Sequence, residues 1–288
     1  MKNIYICPVC LSKYKEISAL NQSGNSLICA KNHCFDCSKE GYYNFDMSNH
    51  SADSGDTKEM CECRREFLSS GHYERFALVL SQNAFELCGQ TQNPSIVDAG
   101  CGEGYYDRVL RDYFLSKGKS ACLVGADLAK NAIKLAAKSE KQVLPPECAI
   151  NFCVSSIFDL PLASCSQDIL LSVFAPVGHD EAHRVLKNGG YMIVAGADTD
   201  HLYELKSAVY DMPYKNEQKI PNYDGFDLCD AKELKYTFEC TNAQIKNLFT
   251  MTPYFWKTSK QDMLKLDNIE KLEITAHFFL HIYKKTEV

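Results

Sequence analysis

The chain has 288 residues, of which 45% are hydrophobic and 24% charged, and its formal net charge is −6. This composition excludes a disordered chain, and the negative charge disfavours a protein that coats nucleic acid by charge alone. The 15 cysteines, the lack of a signal-like start and the lack of a long apolar run predict a cytoplasmic protein, with free thiols or a metal site and no membrane span.

Two pairs of potential metal ligands lie near the start of the chain. Cys7 and Cys10 are followed by Cys29 and His33, with the spacing C-x2-C-x18-C-x3-H. Tetrahedral zinc takes two such pairs from two short turns, and a hairpin turn at Gly24-Asn25 would bring the pairs together. We therefore predict one structural zinc ion per chain.

The fourth zinc ligand has competitors in the sequence. Cys34 and Cys37 are further thiols close to His33. We favour His33 because it completes the x3 spacing. The alternatives to a zinc site as a whole are reduced cysteines in a small core and, less favoured, a redox C-x-x-C pair.

The chain divides into three predicted parts. Residues 1–48 hold the clustered cysteines and form a small zinc-binding domain. A polar linker spans 48–56 across the first boundary, and residues 49–90 continue with a helical pattern from 59 to 87 that would cover a cleft. Residues 91–288 alternate strand and helix patterns, which is typical of a parallel α/β sheet.

The predicted elements of the third part follow one another in chain order. Strands are predicted at 96–99, 121–126, 150–154, 168–174 and 191–196, and helices near 105–115, 130–139, 179–187 and 201–210. Two late strands, at 235–240 and 274–283, flank a helix at 243–249. The fold class is therefore α/β, with a Rossmann-like sheet.

A glycine-rich loop joins the first of these strands to the first helix. The segment IVDAGCGEGYY, residues 96–106, places Gly100, Gly102 and Gly104 at alternate positions. A nicotinamide dinucleotide, a nucleoside triphosphate or S-adenosylmethionine (SAM) could bind such a loop. Dinucleotide folds use G-x-G-x-x-G, whereas G-x-G-x-G here follows Asp98, which would repel a pyrophosphate and suits an ammonium group. The loop therefore favours SAM.

Two later positions fit the same cofactor. The second strand ends at Asp127, which is placed to accept both hydroxyl hydrogens of a ribose. Ser156 follows the third strand, where such folds hold the adenine, and the backbone at Ser156–Ile157 could serve instead of its side chain. A tight turn without a ligand and an NAD site are the less favoured alternatives.

The motifs together resemble a known family. The segments that carry the resemblance are Cys29–Asn44, Gly55–Met60, Arg64–Tyr73, Gly100–Tyr106, Phe174–Pro176 and His201–Lys206. From Cys7 to about Tyr210 the chain resembles the bacterial large-subunit (23S) rRNA guanine-N1 methyltransferases, and beyond that it matches only loosely. The resemblance implies a SAM-dependent catalytic domain, a zinc-bearing RNA-recognition domain and a homodimer.

The resemblance also implies roles for individual residues. It places zinc on the four ligands predicted above, and SAM contacts on Tyr73, Gly102, Glu103 and His201. The sequence departs from the family where Asp-x-Ser-Lys becomes Asp127-Leu-Ala129-Lys130, which removes a hydroxyl that could cap a helix.

Cations and aromatic residues alternate around the junction of the predicted domains. They are Lys39, Arg64, Arg65 and Arg75, with Tyr42, Tyr43, Phe67 and Tyr73. Such mixtures suit RNA, although an ordinary helix with a basic edge would look similar. Phe174 is expected to line a base pocket or to lie in the core, and Trp256 is expected in the core.

The predicted reaction is transfer of the SAM methyl group to N1 of a guanine in a hairpin loop of 23S rRNA. Neutral guanine carries a proton on N1, and Asp198 is the predicted general base, with a strand-end cap as its alternative role. Rival functions are methylation of a small metabolite, nicotinamide-dependent oxidoreduction with a structural zinc, and RNA binding without catalysis.

Overall fold

The computed structural model describes residues 4–47, 56–141, 143, 145, 148–217 and 219–286. The predicted linker lies outside these residues except for Asp56. Within the described residues, none of the helices has the length and apolar character needed to cross a membrane.

Helices and strands alternate over most of the chain. The helices are α1 (Pro8–Tyr14), α2 (Lys58–Ser69), α3 (Glu74–Leu87), α4 (Tyr105–Ser116), α5 (Lys130–Glu140), α6 (His179–Val185), α7 (Tyr203–Val209), α8 (Asn242–Thr250), α9 (Tyr254–Lys257) and α10 (Lys260–Met263), followed by a 3₁₀ helix over Leu264–Asn268. The strands are β1 (Asn21–Ser23), β2 (Ser26–Ile28), β3 (Cys34–Asp36), β4 (Tyr43–Asn44), β5 (Ser95–Ala99), β6 (Cys122–Asp127), β7 (Asn151–Val154), β8 (Gln167–Val173), β9 (Leu186–Ala197), β10 (Phe226–Thr241) and β11 (Lys271–Lys285).

An eight-stranded sheet forms the centre of the molecule, in the order β10-β11-β9-β8-β5-β6-β7-β4. The strands from β4 to β9 in this order run parallel, and β11 and β10 complete the sheet in antiparallel fashion. Strand β5 lies between β6 and β8, so the chain order reverses at its carboxyl end. Open α/β sheets bind ligands at such a reversal. The α/β fold class is therefore confirmed, and the sheet places a site beside the glycine loop.

The predicted strands of the sheet are present, and the differences lie at their borders. The helical pattern from 59 to 87 is divided into α2 and α3, because the chain turns at Ser70–Tyr73 and Gly71 has a φ of +85°. Helix α6 ends at Val185 rather than near residue 187, and β9 starts directly after it. Strands β10 and β11 are both longer than predicted, because they pair along a register that runs from Phe226 to Thr241.

The cysteine-rich residues form a three-stranded sheet, β1-β2-β3, that is joined to the main sheet. The predicted turn at Gly24-Asn25 connects β1 to β2. Strand β4 pairs with β7 at the edge of the main sheet, and the Ile6 N–H donates to the Pro161 carbonyl at 2.9 Å. Tyr5 and Phe45 belong to the same buried cluster as Leu160. The zinc-binding part therefore shares its core with the α/β part.

Candidate functional site

The turn between β5 and α4 requires a glycine at its first position. Gly100 has a φ of +94°, and a Cβ at this position would lie 2.5 Å from the Ala175 Cβ. Its N–H donates to the Ala126 carbonyl at 2.8 Å, which holds the turn against β6. The loop backbone lies so close to Ala175 that a residue with a side chain would be both strained and too large at this position.

Asp127 connects the glycine loop to helix α5. Its Oδ2 accepts from the Gly102 N–H at 2.9 Å, and its Oδ1 accepts from the Ala129 N–H at 2.7 Å. Ala129 is the N-cap of α5 and offers no side-chain cap, as the departure from the family pattern predicts. The carboxylate fixes the backbone just before α5 but does not replace a cap, because a cap would accept from the N2 or N3 N–H of the helix. Each carboxylate oxygen keeps a lone pair for a ribose hydroxyl.

Asp98 and Asp107 form a buried acidic pair behind the loop. Asp98 is 1% exposed, and neither of its oxygens has a hydrogen-bond partner within the described residues. Burial and the nearby carboxylates raise the pKa of Asp98, and burial raises the pKa of Asp107 to about 7. Charge on this pair is unfavourable unless a cation approaches it.

A cleft of about 690 Å³ opens over the carboxyl ends of the central strands. Its volume lies in the range of small-molecule sites, roughly 300–1,000 Å³. The lining includes the predicted residues Tyr73, Gly100, Gly102, Glu103, Asp127 and His201. The predicted residues Asp98, Gly104, Ser156 and Asp198 are not part of the lining. The structure thus brings most of the predicted cofactor residues to one place.

Tyr73 and His201 close one wall of the cleft together. The Tyr73 hydroxyl lies 3.1 Å from His201 Nε2, and His201 Nδ1 accepts from the His277 N–H at 3.2 Å. Nδ1 therefore carries no proton, and Nε2 donates to Tyr73. Burial lowers the pKa of His201 to about 3, so the ring is neutral. The bond holds Tyr73, which directly precedes α3, in the wall of the cleft.

The predicted roles of Asp198 and Ser156 stay predictions. Asp198 Oδ1 accepts from the Thr199 N–H at 2.6 Å and from its hydroxyl at 3.0 Å, and Asp198 Oδ2 lies 3.7 Å from His277 Nε2. These bonds hold the chain that follows β9. Ser156 Oγ accepts from the Phe158 N–H at 3.1 Å, and the neighbouring Ile157 lines the cleft.

Aromatic side chains line the mouth of the cleft. Phe158, Phe174 and Trp256 are 65%, 47% and 60% exposed, and all three belong to the lining. The expectation of a core position for Trp256 is therefore wrong. Its segment forms the short helix α9, in which no residue is fully buried, and the sequence pattern does not indicate which side of this helix faces the core.

The four predicted zinc ligands meet in the N-terminal part. Their ligand atoms lie within 4.8 Å of one another. Cys10 Sγ is 3.8 Å from Cys29 Sγ, and His33 Nδ1 is 3.3–3.5 Å from the three sulfurs of Cys7, Cys10 and Cys29. Tetrahedral bonds of about 2.3 Å to sulfur and 2.0–2.1 Å to nitrogen require separations close to these. The donor set fits structural zinc.

The competitors for the fourth zinc position lie outside the cluster. Cys34 is exposed, with its Sγ 3.7 Å from an Asp36 oxygen, and Cys37 is partly buried. Because His33 contributes Nδ1 to the cluster, the preference for His33 agrees with the geometry.

The basic residues of the predicted RNA surface occupy different environments. Arg64 lines the cleft, whereas Arg65 donates to Ser139 Oγ at 2.7 Å. The Arg75 guanidinium lies 5.3 Å from the centre of the Tyr236 ring, and the Lys39 side chain is 86% exposed. The alternation in sequence missed that Arg64 belongs to the cleft, because which side of α2 faces the loop depends on tertiary packing.

The Rossmann-like sheet and the cleft at its switch point suit a methyltransferase, and comparison with protein families shows that the chain contains one. Residues 90–265 match the family model described as "Methyltransferase domain", and residues 5–45 match "RlmA, N-terminal". The chain belongs to the methyltransferase domain family. SAM is its cofactor, and the acids near the glycine loop suit the positive groups of SAM.

Curated relatives align with nearly the whole chain. One is YxjB of Bacillus subtilis (strain 168), named as a candidate 23S rRNA (guanine-N(1)-)-methyltransferase, with 28% identity over 95% of this chain and 94% of the relative. Another is the 23S rRNA (guanine(748)-N(1))-methyltransferase of Streptomyces fradiae, with 26% identity over 94% of each chain. The predicted resemblance to this family of enzymes is thereby confirmed.

Proposed function

We propose that the protein transfers the methyl group of SAM to N1 of a guanine in 23S rRNA. The observation that carries the proposal is the combination of a zinc ribbon, residues 5–45, and a methyltransferase cleft in one chain. The relatives that align with both parts are named for this reaction. A hairpin loop remains the proposed setting of the guanine.

The residues of the cleft can position a cofactor and a base. The glycine loop and Asp127 would hold the amino-acid and ribose parts of SAM, and SAM would supply an electrophilic methyl group. Tyr73 and His201 form the wall that would keep water from this group. The exposed rings of Phe174 and Trp256 offer faces on which a base extruded from the RNA would stack.

Asp198 is proposed as the group that accepts the N1 proton. Its bonds to Thr199 and its place outside the cleft lining favour the alternative role of holding the loop after β9. Asp198→Asn keeps the size of the side chain. If turnover on saturating RNA is unchanged in this variant, the proton is accepted elsewhere.

A methyl-transfer assay tests the substrate class. Purified protein is incubated with methyl-labelled SAM and, separately, with large-subunit rRNA, small-subunit rRNA, tRNA and a cell extract freed of macromolecules. We expect label in large-subunit rRNA alone. Label in a small molecule would support the rival metabolite reaction, and RNA binding without transfer would support a non-catalytic role.

The oligomeric state and the location are also part of the proposal. We infer a homodimer from the resemblance, acting in the cytoplasm where ribosomal RNA is found. Light scattering of the purified full chain should give twice the mass of 32.5 kDa. A mass of one chain over the micromolar range would refute the dimer and leave the methyl-transfer reaction untouched.

A further inference from the structure

The lining of the cleft contains more acidic than basic side chains. Among the described residues of its lining, the acids are Asp56, Glu103 and Asp127, and Arg64 is the one arginine or lysine. His201 adds no positive charge, because burial keeps it neutral. SAM carries an ammonium, a sulfonium and one carboxylate. Glu103 already pairs with Arg108 Nη2 at 2.8 Å, and the acids that remain near the loop suit the positive groups of SAM. The carboxylate of SAM needs a cation or N–H donors.

Arg64 lies directly over the glycine loop. A Cβ built on Gly102 would be 3.8 Å from Arg64 Nη1. The side chain comes from α2 and is 25% exposed. Arg64 Nη2 donates to the Met251 carbonyl at 3.1 Å, which ties the guanidinium to the turn after α8. The cation is therefore held in place beside the loop before any ligand binds.

The guanidinium already binds a carboxylate. Its Nη1 pairs with Asp56 Oδ2, and Asp56 precedes α2 by two residues. A guanidinium has five N–H donors in a fixed fork, and the contacts to Asp56 and Met251 use one hydrogen of each terminal nitrogen. A second carboxylate can bind the remaining donors or take the place of Asp56.

We propose that Arg64 binds the carboxylate of the methionine part of SAM. This inference rests on the assignment of the chain as a SAM-dependent methyltransferase and adds a residue to its cofactor site. It gives Arg64 a role in cofactor binding in place of the RNA contact that its basic neighbourhood indicates. Arg65, the next residue on α2, is bonded to Ser139 and takes no part.

Binding of two ligands tests the assignment. The first ligand is SAM, and the second is decarboxylated SAM, which keeps the ammonium, sulfonium, ribose and adenine but lacks the carboxylate. Isothermal titration is carried out on the wild-type chain and on Arg64→Gln, with Arg65→Gln as the matched control. Arg64→Gln should weaken SAM binding by about tenfold or more, as loss of a charge-assisted hydrogen bond predicts.

The second ligand separates recognition of the carboxylate from damage to the site. Arg64→Gln should change the affinity for decarboxylated SAM by less than about twofold, and Arg65→Gln should leave both affinities unchanged. Equal losses for the two ligands, or no loss for SAM, would overturn the assignment. Thermal unfolding reports whether Arg64→Gln is folded.

Arg64→Lys provides a second variant if the first is unstable. It keeps the charge and loses the planar fork, so it should weaken binding of SAM but not of decarboxylated SAM. If the wild type binds SAM and methylates rRNA while both Arg64 variants bind SAM normally, the inference fails and the proposed function stands. If the wild type binds no SAM, the methyltransferase proposal itself fails.

Discussion

Phe174 is a bulky residue in a backbone conformation that side chains disfavour. It ends β8 with a φ of +55°, and its N–H donates to the Ala195 carbonyl at 2.9 Å. The ring is 47% exposed and lies 6.5 Å from that of Tyr73, with planes 18° apart. A left-handed non-glycine residue costs about 1–2 kcal/mol. Backbone strain at the edge of a cleft indicates that the Phe174 ring has a functional role there.

Two substitutions at Phe174 separate its backbone from its ring. Phe174→Gly removes the strain, and Phe174→Ala keeps it, so the glycine variant should be more stable than the alanine variant by about 1 kcal/mol. Both lose the stacking face, and kcat/KM for rRNA should fall about tenfold or more while SAM affinity is unchanged. Wild-type methylation by both variants would show that the ring does not bind the base.

The buried acids behind the loop make stability depend on pH. The folded pKa of Asp107 is raised to about 7 from its usual 3.8, so the folded chain holds a proton that the unfolded chain has lost. This contribution to stability is therefore present below the unfolded pKa and is lost as pH rises towards 7. Asp107→Asn should remove this loss.

Urea unfolding between pH 5 and 8, without cofactor, measures the effect. The unfolding free energy of the wild type should fall more steeply with pH than that of Asp107→Asn, by at most about 1.4 kcal/mol per pH unit for one proton. Parallel curves for the two proteins would mean that Asp107 is already ionised in the folded state.

Single residues differ in how far the sequence reveals them. Glycine spacing and the acid at the end of the second strand located Gly100 and Asp127, because each depends on its nearest neighbours in the chain. The positions of Arg64 and Trp256 depend on how α2 and α9 pack over the sheet, which local pattern does not specify.

At the scale of elements, the turn from β5 to α4 does not accommodate a side chain at Gly100. Gly100→Ala meets both the positive φ and the Ala175 side chain at 2.5 Å. Gly118 is a matched control, because it has a φ of +69° but a Cβ added there would have nothing within 4 Å. Gly118→Ala should cost about 1 kcal/mol of stability.

Gly100→Ala should cost more than twice as much and should also abolish measurable SAM binding. Chemical denaturation and titration with SAM measure the two effects. Equal stability losses at Gly100 and Gly118 would contradict the close approach of the loop to Ala175.

The zinc ribbon holds the edge of the main sheet through β4 and Ile6. Cys10→Ser should lose the metal and raise hydrogen exchange over residues 4–45, because the binding energy of a structural zinc is folding energy. Cys34→Ser is the matched control, since Cys34 lies outside the ligand cluster and should keep one zinc per chain.

Metal analysis and hydrogen exchange read out the two variants. Loss of zinc from Cys34→Ser, with retention in Cys10→Ser, would reassign the ligands. We also expect Cys10→Ser to retain SAM binding within about threefold, because the glycine loop lies on β5 and not on the ribbon. Deleting residues 1–48 would test the role of the ribbon less specifically, because the deletion also removes β4 from the main sheet.

The strands buried on both faces were the elements easiest to predict. β5, β6 and β8 are short segments in which apolar residues predominate and nearly every position is buried, which is typical of parallel strands covered by helices. Strand β4 has two residues, and its pairing with β7 joins positions more than 100 residues apart, so it left no local signal.

At the scale of the whole molecule, one chain combines a metal-held ribbon with a SAM cleft at the switch point of an eight-stranded sheet. The parts are joined by a common core, and the relatives align with both. The basic residues proposed to contact RNA lie on different elements, so they do not form one continuous sequence motif.

Nucleoside mass spectrometry of the rRNA product tests whether the protein methylates N1 of a guanine. Large-subunit rRNA from cells that lack the gene is incubated with the purified protein and SAM, digested and compared with untreated rRNA. We expect a gain of 1-methylguanosine that Gly100→Ala does not produce. A different methylated nucleoside, or no methylated nucleoside from a protein shown to bind SAM, would contradict it.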